Sequence, residues 1–310
     1  MSRAADALQA RAEVLKLARI LEREPESLAY LESLSLDDLR ALRDRVTEVL
    51  WTAHGHTLNR LASASRLLPA GLSATISERA FGPLLSARMA GLLEPSRAVD
   101  VATKLHSTFL ADVATELDPR RASEVISQIP PGQIAEVTGE LVRRGEYVTM
   151  GRFVGHLHED ALVAALGAMD DAALLHVAFV LEDKGDLEHL VGLLPELRLA
   201  AIVQAAADDD LWLEALDLLD HLSERQRSEI LATKLELDHA ALEAIVAAVI
   251  EHDLWQEVLL VAEHDPKLQG KLAERLPALS RREQRAIAKR ARATGAIDRL
   301  GPLGDALASA

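Results

Sequence analysis

The chain of 310 residues contains no cysteine, which excludes disulfides, thiolate nucleophiles and zinc–thiolate sites. Aromatic residues are scarce, at 3% against an apolar share of 49%. The core must therefore be built from Leu, Ala, Val and Ile, a mixture that favours helices. β-Branched runs in strict alternation, the mark of half-buried strands, are missing. Positive charge is in deficit: 34 Lys and Arg stand against 49 Asp and Glu, a net charge of −15. That balance argues against nucleic acid as a general partner, because neutralising phosphates needs clustered cations. No uncharged run approaches the ~18 residues of a membrane span. The first residues, MSRAADALQARAEVLKLARILERE, alternate charge and lack an apolar h-region, so a cytoplasmic protein without a secretory signal is expected. The nucleophile elbow G-x-S-x-G, the P-loop and the G-x-G-x-x-G turn are all absent, and neither catalysis nor a resident cofactor is expected.

What is present is repetition. Four segments share one pattern: EPSRAVDVATKL (94–105), HSTFLADVATEL (106–117), DPRRASEVISQI (118–129) and PPGQIAEVTGEL (130–141). Val101, Val113, Val125 and Val137 are spaced by 12 residues, as are Leu105, Leu117, Ile129 and Leu141. Twelve residues allow about two helical turns and a tight connection. Pro95, Pro119 and Pro131 occupy the second position of their units, where a missing N–H costs nothing at a helix start. Ala98, Val101, Ala102 and Leu105 fall on one helical stripe. A helix this short is marginal alone, below the ~12–15 residues an isolated helix needs, so each unit must stack on its neighbours.

The sequence therefore predicts an all-α fold, a superhelix (α-solenoid) of short stacked helices preceded by an N-terminal helical segment. Residues 1–91 read as that segment, a helical cap or dimerisation element. A first helix over 4–23 places Leu8, Leu15, Ala18 and Leu21 on one face, and a long helix opening at Asp37 and Asp38 bends at Gly55 between His54 and His56. Residues 92–181 carry the 12-residue units, which recur at 158–169 and 170–181. Residues 182–300 read as longer repeats, with corners at Gly185, Asp210, Asp253 and Gly295, and Trp212 and Trp255 plugging between layers. Residues 301–310 read as a flexible tail. Ser223 with Gln226 and Ser280 with Glu283 have capping-box spacing.

The stacked units with a proline near the start, an alanine, a valine and a closing leucine resemble the intracellular N-terminal domain of MgtE magnesium transporters. The resemblance rests on 94–141 and extends through 158–181. It implies a superhelix of short helices and a role in sensing magnesium. In that family paired CBS domains and membrane helices follow, and neither pattern follows here, so transport is not implied and no magnesium carboxylate is carried over.

Three groups of residues stand out chemically. The stretch from Arg143 to Phe153 is the least repeat-like of the centre, and Arg143, Arg144, Tyr147, Met150, Arg152 and Phe153 are the candidates for lining a partner or ligand groove. Gly145 and Gly151 there allow close approach of another backbone. Asp208, Asp209 and Asp210 form an acidic corner, a candidate weak magnesium site, although carboxylates near helix ends are also explained by the helix dipole. Arg281, Arg282, Arg285, Lys289, Arg290 and Arg292 form a basic patch opposed by Glu283 alone. The pairs His54/His56 and His156/His158 point apart on a helix and read as surface or corner histidines.

The expected function is a non-enzymatic interaction or regulatory scaffold that docks a protein partner along a helical superhelix, with homodimerisation through the N-terminal segment. The alternatives are a binding protein for a hydrophobic small molecule in an apolar cavity, drawn from the Ala-rich stripes, and a magnesium-responsive regulator.

Overall fold

The computed structural model describes residues 3–52, 62, 68–209, 211–219, 221–223, 225–226, 246, 249–250, 255–263, 266–293 and 295–309. Among these every regular element is helical and no strand occurs. None of the described helices is long and apolar enough to cross a membrane. His54, Gly55, His56, Asp210, the corner at 252–254 and Thr294 lie outside the described residues. The chain forms two compact units, Ala10–Leu194 and, separately, Met1–Gln9 with Pro195–Ala310.

The unit Ala10–Leu194 is built from the helices Arg3–Leu21 (α1, from Ala10 onward), Leu36–Thr52 (α2), Ala70–Ile76 (α3), Gly82–Ala90 (α4), Pro95–Ala102 (α5) and Ser107–Glu116 (α6). It continues through Ser123–Ile126 (α7), Pro131–Arg143 (α8), Tyr147–Phe153 (α9), Glu159–Gly167 (α10), Asp171–Phe179 (α11) and Asp186–Gly192 (α12). Pro95 and Pro131 sit in the first turns of α5 and α8, where proline has no hydrogen bond to lose. Asp170 caps α11 by accepting from the Ala173 N–H at 2.7 Å.

From α3 to α11 the short helices hide their stripes against the helix two places along. The pairs are α4 with α6, α6 with α8, α8 with α10, α3 with α5, α5 with α7, and α9 with α11. Val101, Val113, Val125 and Val137 are all buried, as the 12-residue spacing requires. Ala87, Ala98, Val113, Leu117, Ala122, Val125 and Ile126 form one core cluster, with Phe153 packed at its side.

The third unit departs from the pattern. Its proline does not start a helix; α7 is only four residues long and begins at Ser123. Asp118 is buried at 7% exposure, and its side chain accepts from the Arg120 N–H at 3.2 Å. A turn over 118–122 results, in place of the expected first helical turn.

α1 also differs from expectation. Leu21 is 38% exposed, whereas Glu13 and Lys16 are buried at 3% and 1%. The helix turns a charged pair inward because a cationic partner on α2 awaits it, as described below.

Two glycines in the centre are required by geometry. Gly145 has φ +69°, turning the chain between α8 and α9. Gly151 faces the end of α11, where an added Cβ would lie 2.8 Å from the Val180 carbonyl oxygen.

The second unit contains Glu196–Asp208 (α13), Trp212–Leu219 (α14), Trp255–Ala262 (α15), Pro266–Arg275 (α16), Arg281–Ala293 (α17) and Gly301–Ala308 (α18). α15 packs on α14, α16 and α17, and α18 packs on α16 and α17. Trp212 and Trp255 each open a helix and are buried at 5% and 3%. In the segment read as a tail, residues 301–308 are helical, with Leu303 and Leu307 fully buried. Their four-residue spacing places both on one face, and Pro302 suits the first turn.

Replacing Gly151 by Ala should destabilise the protein by about 1–3 kcal/mol, the usual cost of overpacking. Gly139, inside α8 with open space around its Cα, should gain about 0.5–1 kcal/mol as Ala. Urea unfolding of the two variants reads both signs.

Candidate functional site

One group of buried charges in the unit Ala10–Leu194 is organised around Glu13. A buried charge is tolerated only when paired, and the partners come from three segments. Lys16, one turn along α1, donates from Nζ to Glu13 Oε1 at 2.9 Å and to the Leu181 carbonyl at 3.1 Å. Arg43 of α2 lies 3.0 Å from Glu13 Oε2 through Nη1, and the same nitrogen donates to both oxygens of Glu182 at 2.9 and 2.7 Å. Arg40 adds a longer contact to Glu13, at 3.7 Å. Burial pulls the Lys16 pKa below its ordinary value, opposed by the carboxylates of Glu13 and Glu182.

The irregular turn of the third repeat brings a second set. Arg120 donates from Nη1 to Asp44 at 2.8 Å and from Nε to Asp118 at 3.3 Å. Arg121 pairs with Glu48 and, at 3.6 Å, with Asp118.

Between these two sets lies a cavity of about 160 Å³. Its polar walls are Arg43, Arg120, Arg152, His156 and Glu182. Ile20, Thr47 and Pro119 complete them. Arg152 enters from α9. Burial pulls its pKa below the usual arginine range, against the field of Asp118 and Glu182. No described residue accepts a hydrogen bond from its guanidinium. The Arg43 Nε is likewise buried without an acceptor among the described residues. His156 has Nδ1 at 3.1 Å from Ser123 Oγ, and burial lowers its pKa.

The six residues singled out between 143 and 153 do not share one groove. Arg152 lines the cavity. Arg143 and Arg144 pair with Glu140, and Arg144 also with Asp112. Tyr147 stacks on His176, with ring centroids 4.7 Å apart and planes 20° from parallel. Met150 is buried, and Phe153 packs against the core cluster. Glu13, Lys16, Arg43, Arg120 and Glu182 were not foreseen. The only sequence signal was the opposite-charge spacing of Glu13 and Lys16 inside an apolar helix.

In the other unit, Asp208 is exposed and accepts from Gln204 Nε2 at 2.9 Å, and Asp209 caps the end of α13. Among the described residues no group of three His, Asp or Glu side chains is placed to hold a metal ion. The basic patch lies on α17, which buries Ile287, Ala288 and Ala291. Arg281, Arg282, Arg285, Lys289 and Arg292 are exposed, and Arg290 is half-buried. The only acidic residue of the helix, Glu283, is occupied in a capping box: it accepts from the Ser280 N–H at 2.7 Å, and its own N–H donates to Ser280 Oγ at 3.3 Å.

No family model matches the chain, and neither does any curated protein or solved structure.

Removing the central carboxylate should be costly. Glu13→Gln leaves Lys16 buried without its carboxylate and takes from Arg43 one of its carboxylate partners, Glu182 remaining, and should reduce stability by about 3–5 kcal/mol, read as a shift of the denaturation midpoint. His156 supplies a pH signature. Its folded pKa lies below the unfolded value, so the unfolded chain binds the proton more readily. Stability should fall as pH drops below the ordinary histidine value of about 6.5, and His156→Gln should flatten that part of the profile.

Proposed function

We propose that the protein is a non-enzymatic docking scaffold of stacked short helices, arranged as a superhelix of the MgtE N-terminal-domain kind, and that α17 is its docking face for an acidic segment of a partner protein. The observation that carries this reading is the unbalanced cationic side of α17. Positions 281, 285, 289 and 292 recur at four- and three-residue steps and form one stripe, with Arg282 beside it. These five side chains are exposed and make no ion pair among the described residues. In a chain of net charge −15, a stripe of one sign on a solvated face is an electrostatic complement for carboxylates and steers association. The packing of helices two places apart supports the superhelical reading of 94–141, because that arrangement follows from units that bury their stripes only against neighbours.

An acidic peptide such as oligo-glutamate, followed by fluorescence anisotropy, should bind at low ionic strength and weaken steeply with added salt. The triple variant Arg281→Glu, Arg285→Glu, Lys289→Glu should lose that binding while its circular dichroism is unchanged. A single-stranded oligonucleotide binding more tightly than the peptide through the same residues would replace the protein partner with nucleic acid. Absence of binding by both would end the reading.

A further inference from the structure

We infer that the cavity between α1, α2, α9 and the turn at 118–122 is a binding site for a small oxyanion, a phosphate or carboxylate group gripped by Arg152. The inference stands on a different helix set from the docking face and does not rest on it.

The pairing pattern supplies the first reason. Five carboxylates belong to the two ion-pair sets that border the cavity: Glu13, Asp44, Glu48, Asp118 and Glu182. Each already faces one or more of Lys16, Arg40, Arg43, Arg120 and Arg121. Arg152 is the sixth cation of the group and has no carboxylate in contact. A guanidinium carries five N–H donors in a planar fork, and those of Arg152 meet no acceptor among the described residues, which leaves them available to a ligand. An oxyanion in the cavity would supply both the acceptors and the missing charge, and arginine forks match phosphate and carboxylate oxygens two at a time.

A second, independent reason is the Arg43 Nε. Arg43 is 7% exposed, its Nη1 is used by Glu182 and Glu13, and its Nε–H is buried without an acceptor among the described residues. The Arg43 Nε–H thus lies unsatisfied just behind the wall that Arg43 shares with Arg152. Arg43 and Arg120 also act on Arg152 as like charges, and an anion between them would relieve that repulsion. His156 adds a neutral donor. When the Ser123 hydroxyl donates to Nδ1, the ring proton resides on Nε2.

Size and polarity agree with the class. A cavity of about 160 Å³ exceeds the ~10–15 Å³ that one water needs and suits a group of a few heavy atoms. Glu182 is the one carboxylate of the wall, and both its oxygens are occupied by Arg43. It would be a near neighbour of the anion and should favour singly over doubly charged forms.

The test uses the full chain in a buffer free of phosphate, sulfate and carboxylates. Inorganic phosphate, sodium acetate and, at matched ionic strength, sodium chloride are titrated in separate arms, followed by calorimetry and by the thermal midpoint. Phosphate or acetate should bind with a millimolar or tighter Kd and raise the midpoint, and chloride should not. Which of the two is tighter identifies the natural group as phosphoryl or carboxylate. Arg152→Gln should weaken the Kd about tenfold or more without lowering the midpoint in ligand-free buffer, since no carboxylate contact is lost with it. Arg285→Gln on α17 should leave the Kd unchanged. If Arg152→Gln does not fold, Arg120→Gln on the exposed turn carries the comparison, with the same weakening expected. Failure of the wild-type chain to bind either oxyanion, or unchanged affinity in the arginine variants, would overturn the proposal.

Discussion

Helices of seven to thirteen residues dominate the unit Ala10–Leu194 after α2, and helices that short cannot hold themselves together. From α3 to α11 their apolar stripes are covered by helices two places along the chain. This constraint explains the small side chains at the contact positions. Ala87, Ala98 and Ala122 are nearly inaccessible, and alanine there lets short helices approach while costing little conformational entropy. It also explains why a break in the repeat has consequences beyond its own residues. Where Asp118 is buried and α7 shrinks to four residues, the turn makes Pro119 and Arg120 walls of a cavity.

The charges around that cavity act as a second, more specific fastening. Glu13 and Lys16 on α1, Arg43 on α2 and Glu182 beyond α11 come from three distant stretches, yet their contacts fall between 2.7 and 3.1 Å. Apolar stripes tolerate slippage by small amounts, whereas a buried carboxylate with fixed donors does not. The ion network therefore defines one register among several that hydrophobic stacking alone would permit. Lys184 adds a related device, donating to the carbonyls of Ala178 and Phe179 at 2.9 and 2.7 Å and so satisfying the last turn of α11.

The two units place their positive charge differently, and the functional proposals follow from that difference. On α17 the cations are solvated and arranged in a stripe, which suits a long, flexible acidic partner and salt-sensitive docking. Around the cavity the cations converge from several elements and are mostly neutralised, which suits one small group bound by geometry. The first kind of site needs only helical periodicity. The second needs residues from four separate elements to converge.

What the sequence alone determined divides along the same line. The helical class, the 12-residue units, the helix starts at Pro95 and Pro131, the turn at Gly145, the capping box at Ser280 and the stripe on α17 are local consequences of spacing and backbone chemistry, and each could be read from neighbours within a dozen positions. The burial of Glu13 and Lys16, the helical end at 301–308, the scattering of Arg143, Arg144, Tyr147 and Phe153 into separate contacts, and the cavity at Arg152 depended on which segments meet in space. A charged pair on α1 looks like a solvated face until Arg43 and the Leu181 carbonyl arrive beside it. Side-chain periodicity fixes only which face a residue occupies; the tertiary structure decided what that face meets, because burial and charge pairing are properties of the partner as much as of the residue.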